Sequence, residues 1–254
     1  MKLGVHKLEL QRGGKTLCRD FSAEFKTGQC WGVLGPNGAG KSTLLHCLAG
    51  LYPAQRGNVE LNGQTLGTIP RRALARQLGI LLQASVHGFP ATVMETVLQG
   101  RHPHLRAWEW ESESDRRLAR TTLRRVGLET LVERRIDTLS GGEHQRMAIA
   151  TLLTQDPSFM LLDEPVNHLD LHQQIRILED LGTMSGTENK LVMMVLHDVN
   201  LTQRFCDHVI LVHGDGEITA GPVAELMSSE NLSRLYAHPM QSLPGPHGPI
   251  YVPG

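Results

Sequence analysis

The eight residues Gly35-Pro-Asn-Gly-Ala-Gly-Lys-Ser42 constrain this chain more than any other stretch. They fit G-x-x-x-x-G-K-[ST], with an apolar run, CWGVLG at 30–35, before them and an apolar-rich helix pattern, STLLHCLAGL at 42–51, behind. A strand, a glycine loop and a helix in that order build a phosphate cradle. Gly35, Gly38 and Gly40 let the backbone curl so that successive N–H groups point at phosphate oxygens. The helix start adds its partial positive charge. Lys41 is then placed for the β- and γ-phosphates and the Ser42 hydroxyl for Mg²⁺. Pro36, Asn37, Ala39 and Thr43 complete the expected nucleotide-contact set. A chance glycine turn does not account for both flanks.

A second run, SFMLLDEP at 158–165, puts two carboxylates at the end of a short apolar strand. Ligands of open α/β sheets sit at the carboxyl ends of strands. Asp163 is placed to hold Mg²⁺ through its water shell, and Glu164 to polarise an attacking water. Another apolar run, LVMMVL at 191–196, is again followed by a helix pattern. Strand–helix alternation of this kind predicts a parallel sheet in an α/β fold. Further strands are expected at 3–10, 21–25, 58–63 and 78–82. From about 84 to 157 helix patterns replace strands, so a helical segment is expected to interrupt the core. Its helix over 112–127 carries Arg116, Arg120 and Arg124 on one stripe. A solvated face is the preferred reading of that stripe, a partner-docking face the alternative. The tail at 238–254 is rich in Pro and Gly and is expected to be extended and poorly ordered.

Composition removes several function classes. A formal charge of −1 over 254 residues argues against nucleic acid as a partner. The four cysteines are scattered with no C-x-x-C pair, so buried free thiols in a reducing compartment are expected. The N-terminus lacks the apolar core of about 7–15 residues that a secretory signal needs. No apolar run approaches the roughly 20 residues of a membrane span, so any work at a membrane needs a separate anchor.

LSGGEHQR at 139–146 raises a further question. Ser140-x-x-Glu143 is a capping box for the helix that follows. Gly141 and Gly142 inside it weaken a first helical turn, yet they leave N–H groups uncovered at a positive helix end. With this segment the motifs together resemble the ATP-binding cassette (ABC) ATPases, over about residues 1–236. GPNGAGKS is similar to the Walker A loop, LLQ ending at Gln83 to the Q-loop, and LSGGE to the family signature. FMLLDE is similar to Walker B, NHLD ending at Asp170 to the D-loop, and VLHD with His197 to the switch histidine.

The resemblance implies a P-loop NTPase (RecA-like) core with a small antiparallel β subdomain and the helical segment inserted. It implies ATP and Mg²⁺ as ligands. Glu164 would be the catalytic carboxylate, Gln83 would touch Mg²⁺ and the attacking water, and His197 would contact the γ-phosphate. It also implies a head-to-tail pair of copies, in which Ser140, Gly141, Gly142, Glu143 and Asp170 of one close over the nucleotide of the other. Relatives carry an aromatic near the start to stack on adenine; LQRGGKTL here has none, and Arg12 is the expected substitute. Val166 and Asn167 stand where the family often has Thr or Ser, and hydrolysis is expected regardless.

No spanning segment is fused, so transmembrane permease subunits are expected as separate chains, as in an importer. VLQGRHPH at 97–104, NHLDLHQQ at 167–174 and the segment 195–222 resemble the ATPases of iron-siderophore, haem and cobalamin uptake. That places the protein peripherally on the cytoplasmic face of the inner membrane, with a periplasmic or surface substrate-binding protein as an indirect partner. The segment after Gln83, ASVHGFPATVMETV, would form the groove for a permease helix. His102 and His104 are not read as a metal site. The alternatives are a soluble ABC ATPase of DNA repair or translation, or an ATPase of another importer class.

Overall fold

The three apolar runs singled out above lie side by side in a computed structural model that describes residues 1–82 and 90–254. In chain order the elements are β1 (Lys2–Arg12), β2 (Lys15–Lys26), β3 (Cys30–Leu34), α1 (Lys41–Leu48), β4 (Arg56–Leu61), β5 (Gln64–Thr65), α2 (Arg71–Ala75), β6 (Leu78–Leu81), α3 (Val93–Leu98), α4 (Glu113–Arg125), α5 (Gly141–Gln155), β7 (Phe159–Asp163), α6 (Leu171–Thr187), β8 (Leu191–Val195), α7 (Val199–Phe205), β9 (His208–Val212), β10 (Ile218–Pro222), α8 (Val223–Leu226), α9 (Ser229–Tyr236), β11 (Met240–Leu243) and β12 (Ile250–Pro253).

The central sheet runs β10-β9-β3-β8-β7-β6, parallel except for the edge strand β10. Its inner strands β3, β7 and β8 are buried at every position, as in a sheet covered on both faces. Alternate residues part to opposite sides. Trp31, Val33, Phe159, Leu161, Met193 and Val195 join one core, with α1 and the antiparallel sheet β2-β1-β4-β5. Cys30, Leu34, Met160, Leu162, Val192 and Met194 join the other, with α5, α6 and the helical segment. Period-two geometry thus makes one five-residue strand serve two cores.

Three helix starts between residues 92 and 140 are fixed by capping boxes: Thr92 with Glu95, Ser112 with Asp115, and Ser140 with Glu143. The helical segment is pinned by Arg101, which bridges to Asp115 at 2.7 Å and donates to the Thr154 carbonyl at 3.1 Å. Arg116, Arg120 and Arg124 are all exposed, as both readings of the stripe require. The ring of His104 contacts the Gln155 carbonyl at 2.9 Å, a structural bond. All four cysteines are buried free thiols. No helix among the described residues is long and apolar enough to cross a membrane.

The tail is extended as expected, but it is ordered. β11 and β12 pair as an antiparallel hairpin, and Tyr251 is buried against α7 and the α8 region. The Asn200 side chain donates to the Tyr251 carbonyl at 3.1 Å and accepts from its N–H at 2.8 Å, while the Tyr251 hydroxyl donates to the Met227 carbonyl. One aromatic and one amide therefore order a segment whose composition reads as loop. Tyr251→Ala is expected to cost about 2–4 kcal/mol and lower Tm by several degrees. Tyr251→Phe, losing only a hydrogen bond, is expected to cost about 1 kcal/mol. An unchanged melting curve for Tyr251→Ala would show that the hairpin contributes nothing.

Candidate functional site

Val195 pairs with Val33 on one side and with Asp163 on the other. That register brings the loop after Leu34, the pair Asp163-Glu164 and His197 to one carboxyl edge of the sheet, where α/β folds hold ligands. Lys41, Ser42, Glu164 and His197 line a cleft of about 370 Å³ there, together with Asn37, Gly38, Gly40 and Thr43.

The loop is shaped by contacts a side chain would break. A Cβ on Gly35 would lie 2.4 Å from the Val212 carbonyl oxygen. Gly40, at φ 109°, caps α1, and a Cβ there would press on Leu17 at 3.0 Å. Inside the loop, Lys41 Nζ donates to the carbonyls of Gly35 at 2.8 Å and Pro36 at 3.0 Å. Burial holds the Lys41 ammonium below its usual pKa, a shift that the carboxylates of Glu164 and Asp163 oppose. An anion in the loop would relieve that cost. Ala39 is buried behind the loop and does not line the cleft.

Asp163 is 1% exposed. The Ser42 hydroxyl donates to its Oδ1 at 3.1 Å. Burial raises its pKa, against the pull of that hydrogen bond. His46 Nε2, buried and without a hydrogen-bond partner, lies 3.8 Å from Oδ2. A costly buried carboxylate beside a hydroxyl is a hard-oxygen donor set, which fits Mg²⁺.

Glu164 leaves β7 at φ 52°, a left-handed conformation that costs a residue with a Cβ about 1–2 kcal/mol. Its Oε1 lies 2.7 Å from His197 Nε2. An ionised carboxylate only accepts, so that bond places the imidazole proton on Nε2. Arg12 reaches the cleft from the end of β1, donating to Thr43 Oγ1 at 3.2 Å.

Other expected residues are not brought here. Ser140, Gly141, Gly142 and Glu143 start α5 outside the cleft, with Ser140 and Gly141 exposed. The Ser140 N–H donates to Glu143 Oε2 at 2.7 Å, and the Glu143 N–H to Ser140 Oγ at 3.3 Å. Gly142 has a packing reason as well, since a Cβ would lie 3.1 Å from the His168 carbonyl oxygen. Asp170 caps α6, accepting from the Gln173 N–H at 2.8 Å. Gln83 lies outside the described residues, as does much of the segment read as a permease groove.

Sequence reasoning missed Lys15, which lines the cleft and donates to the Gly38 carbonyl at 3.2 Å. Its signal was a cation just past the Gly13-Gly14 turn. It also passed over Asn167, whose side chain donates to Glu164 Oε2.

A glycine loop between β3 and α1, a strand-end carboxylate pair and a histidine after the adjacent strand define a P-loop NTPase. The model of the ABC transporter family matches residues 18–167. The chain is 35% identical to the achromobactin transport ATP-binding protein CbrD of Dickeya dadantii, covering 97% of this chain and 93% of that one. It is also 35% identical to the hemin import ATP-binding protein HmuV of Hydrogenovibrio crunogenus, covering 99% of each. Among solved structures, a chain from an ABC transporter of proposed metal-chelate type, in an inward-facing conformation, superposes with a TM-score of 0.85 at 26% identity, covering 99% of this chain and 96% of that one. The chain belongs to the ABC transporter family and is one of its ATPases.

Proposed function

We propose that this chain is the ATP-hydrolysing subunit of an importer of a metal chelate or cofactor, an iron-siderophore, haem or cobalamin. It works as a head-to-tail pair on separate permease subunits, peripherally at the cytoplasmic face of the inner membrane, with a substrate-binding protein delivering cargo from the far side. The names of CbrD and HmuV support the class of cargo. The unit that performs the work spans about 1–236, with the helical segment of about 84–157 inserted and the tail 237–254 packed against it.

One observation carries the pairing. The start of α5 is capped by Ser140 and Glu143 and carries Gly141 and Gly142, a positive helix end of the kind that attracts anions, and it lies outside the chain's own phosphate cleft. A second copy facing the first places that helix start on the γ-phosphate. The triphosphate is then held from both sides, and its hydrolysis removes the charge that joins the halves.

Within one cleft, phosphate oxygens replace the Gly35 and Pro36 carbonyls as acceptors for Lys41. Residues 35–43 cradle the phosphates through backbone N–H groups. Ser42 and Asp163, with Gln83, would hold Mg²⁺, which supplies charge neutralisation at the phosphates. Glu164 orients a water whose oxygen bonds to the γ-phosphorus as the bond to the β–γ bridging oxygen breaks. The water's proton passes toward the Glu164 carboxylate. His197 turns its Nε2–H from Glu164 to a γ-phosphate oxygen. Asp170 acts across the pair.

Arg12 stacks on adenine. Arg12→Ala is expected to raise the KM for ATP about fivefold, the worth of roughly 1 kcal/mol of cation–π contact. An unchanged KM assigns the stacking elsewhere. For the importer reading, a strain lacking the chain is expected to lose most uptake of radiolabelled iron chelate, haem or cobalamin, restored by wild type and not by Glu164→Gln. Unchanged uptake of all three cargoes refutes the importer assignment and leaves the ATPase standing.

A further inference from the structure

Glu164 is held at both of its carboxylate oxygens. Oε1 accepts from His197 Nε2 at 2.7 Å, and Oε2 accepts from the Asn167 side-chain amide. The two contacts differ in what becomes of them. His197 sits on a separate segment, after β8, and is needed at the γ-phosphate once nucleotide arrives. Asn167 sits on the same turn as Glu164, and its own N–H donates to the Glu164 carbonyl at 3.3 Å. That carbonyl also accepts from Gln145 Nε2 of α5 at 3.2 Å, and Gln145 further donates to the Pro165 carbonyl at 3.0 Å. The turn is thus tied at its backbone, and the Asn167 amide travels with it.

We propose that Asn167 is a positioning residue for ATP hydrolysis, its side-chain amide fixing the Glu164 carboxylate toward the water after His197 has turned away. The inference rests on Glu164 acting on that water.

The chemistry of the surroundings explains the need. Glu164 leaves the sheet in a left-handed conformation, on a side chain with three rotatable bonds. Lys41 of α1, Asp163 of β7 and His197 face it. Left to these charges, the carboxylate is drawn toward the lysine ammonium and away from a line of attack on the γ-phosphorus. A misplacement of about 1 Å in such a group costs on the order of 100-fold in rate. An amide is the right holder because it donates a hydrogen bond without contributing charge or a transferable proton. Asn167 does not line the chain's own cleft, and its side chain reaches Glu164 from behind it.

The test uses the full-length chain and ATP. Asn167→Asp has the same shape but only accepts hydrogen bonds when ionised, so it folds alike and pushes the carboxylate off. Both Asn167→Asp and Asn167→Ala are expected to lower kcat at least tenfold with the KM for ATP within twofold and an unchanged melting temperature. Asn167→Gln, which keeps the donor on a longer arm, is expected to recover part of the loss. The inference is overturned if Asn167→Asp keeps kcat within twofold of wild type. It is equally overturned if the loss appears in KM, or if activity falls only in step with melting temperature. A wild-type chain that fails to turn over ATP at any concentration overturns the ATPase reading itself, and this inference with it.

Discussion

Replacing Glu164 by Gln is expected to lower ATP turnover by about 10²–10⁴-fold while leaving ATP bound. The change is isosteric. The new carbonyl oxygen still accepts from His197 Nε2 while the new NH2 gives up the bond from the Asn167 amide, and the loop that grips the phosphates, with Lys41 donating at 2.8 and 3.0 Å, is untouched. The loss is that an amide takes no proton from water. Because the γ-phosphate stays in place, the pair of copies stays closed, and gel filtration in ATP is expected to show a dimer that wild type holds only briefly. Hydrolysis near the wild-type rate would mean that another group activates the water.

Ser140→Arg is expected to stop hydrolysis as thoroughly, by about 100-fold or more, for a different reason. Ser140 is exposed and lies outside its own cleft, so a monomer accommodates the arginine and binds ATP as before. Locally the variant loses a helix cap, worth about 1 kcal/mol, too little to unfold the chain. In the proposed head-to-tail pair, however, the long side chain would occupy the place of the partner's γ-phosphate. Ser140→Ala separates the two effects, since it removes the cap and leaves the space open. Equal damage from Ala and Arg would trace the loss to the missing Ser140 hydroxyl and not to blocked space, and undiminished hydrolysis in Ser140→Arg would remove this helix start from the reaction.

What was legible in the sequence and what was not divides along physical lines. The phosphate loop reads directly because three constraints coincide within 12 residues: a strand buried on both faces, glycines where a Cβ would strike Leu17 or the Val212 carbonyl, and a helix start. The capping box at Ser140 is equally local, and the structure reproduces both of its hydrogen bonds. β1 and β2 were read only in part. Their pairing shifts register between Val5 and Leu8 and again between Leu8 and Gln11, and Lys7 and Asp20 adopt φ 46°, which breaks the alternation that marks a strand. The C-terminal hairpin was misread because its order comes from Asn200, 51 positions away from Tyr251, and composition carries no trace of that distance. In the sequence Asn167 reads only as a departure from the usual residue. Its role appears only when the left-handed turn at Glu164 folds the amide back onto the carboxylate. Arg12 was named from a missing aromatic, and the structure places it beside Thr43 at the cleft.

The central claim is that one copy cannot complete its own ATP site. Its most direct test is the ATPase rate per chain, measured from dilute, strictly monomeric protein upward. The rate is predicted to be near zero at the dilute end and to rise with concentration until dimers saturate. A rate per chain that is full and constant while the protein remains monomeric would contradict the account.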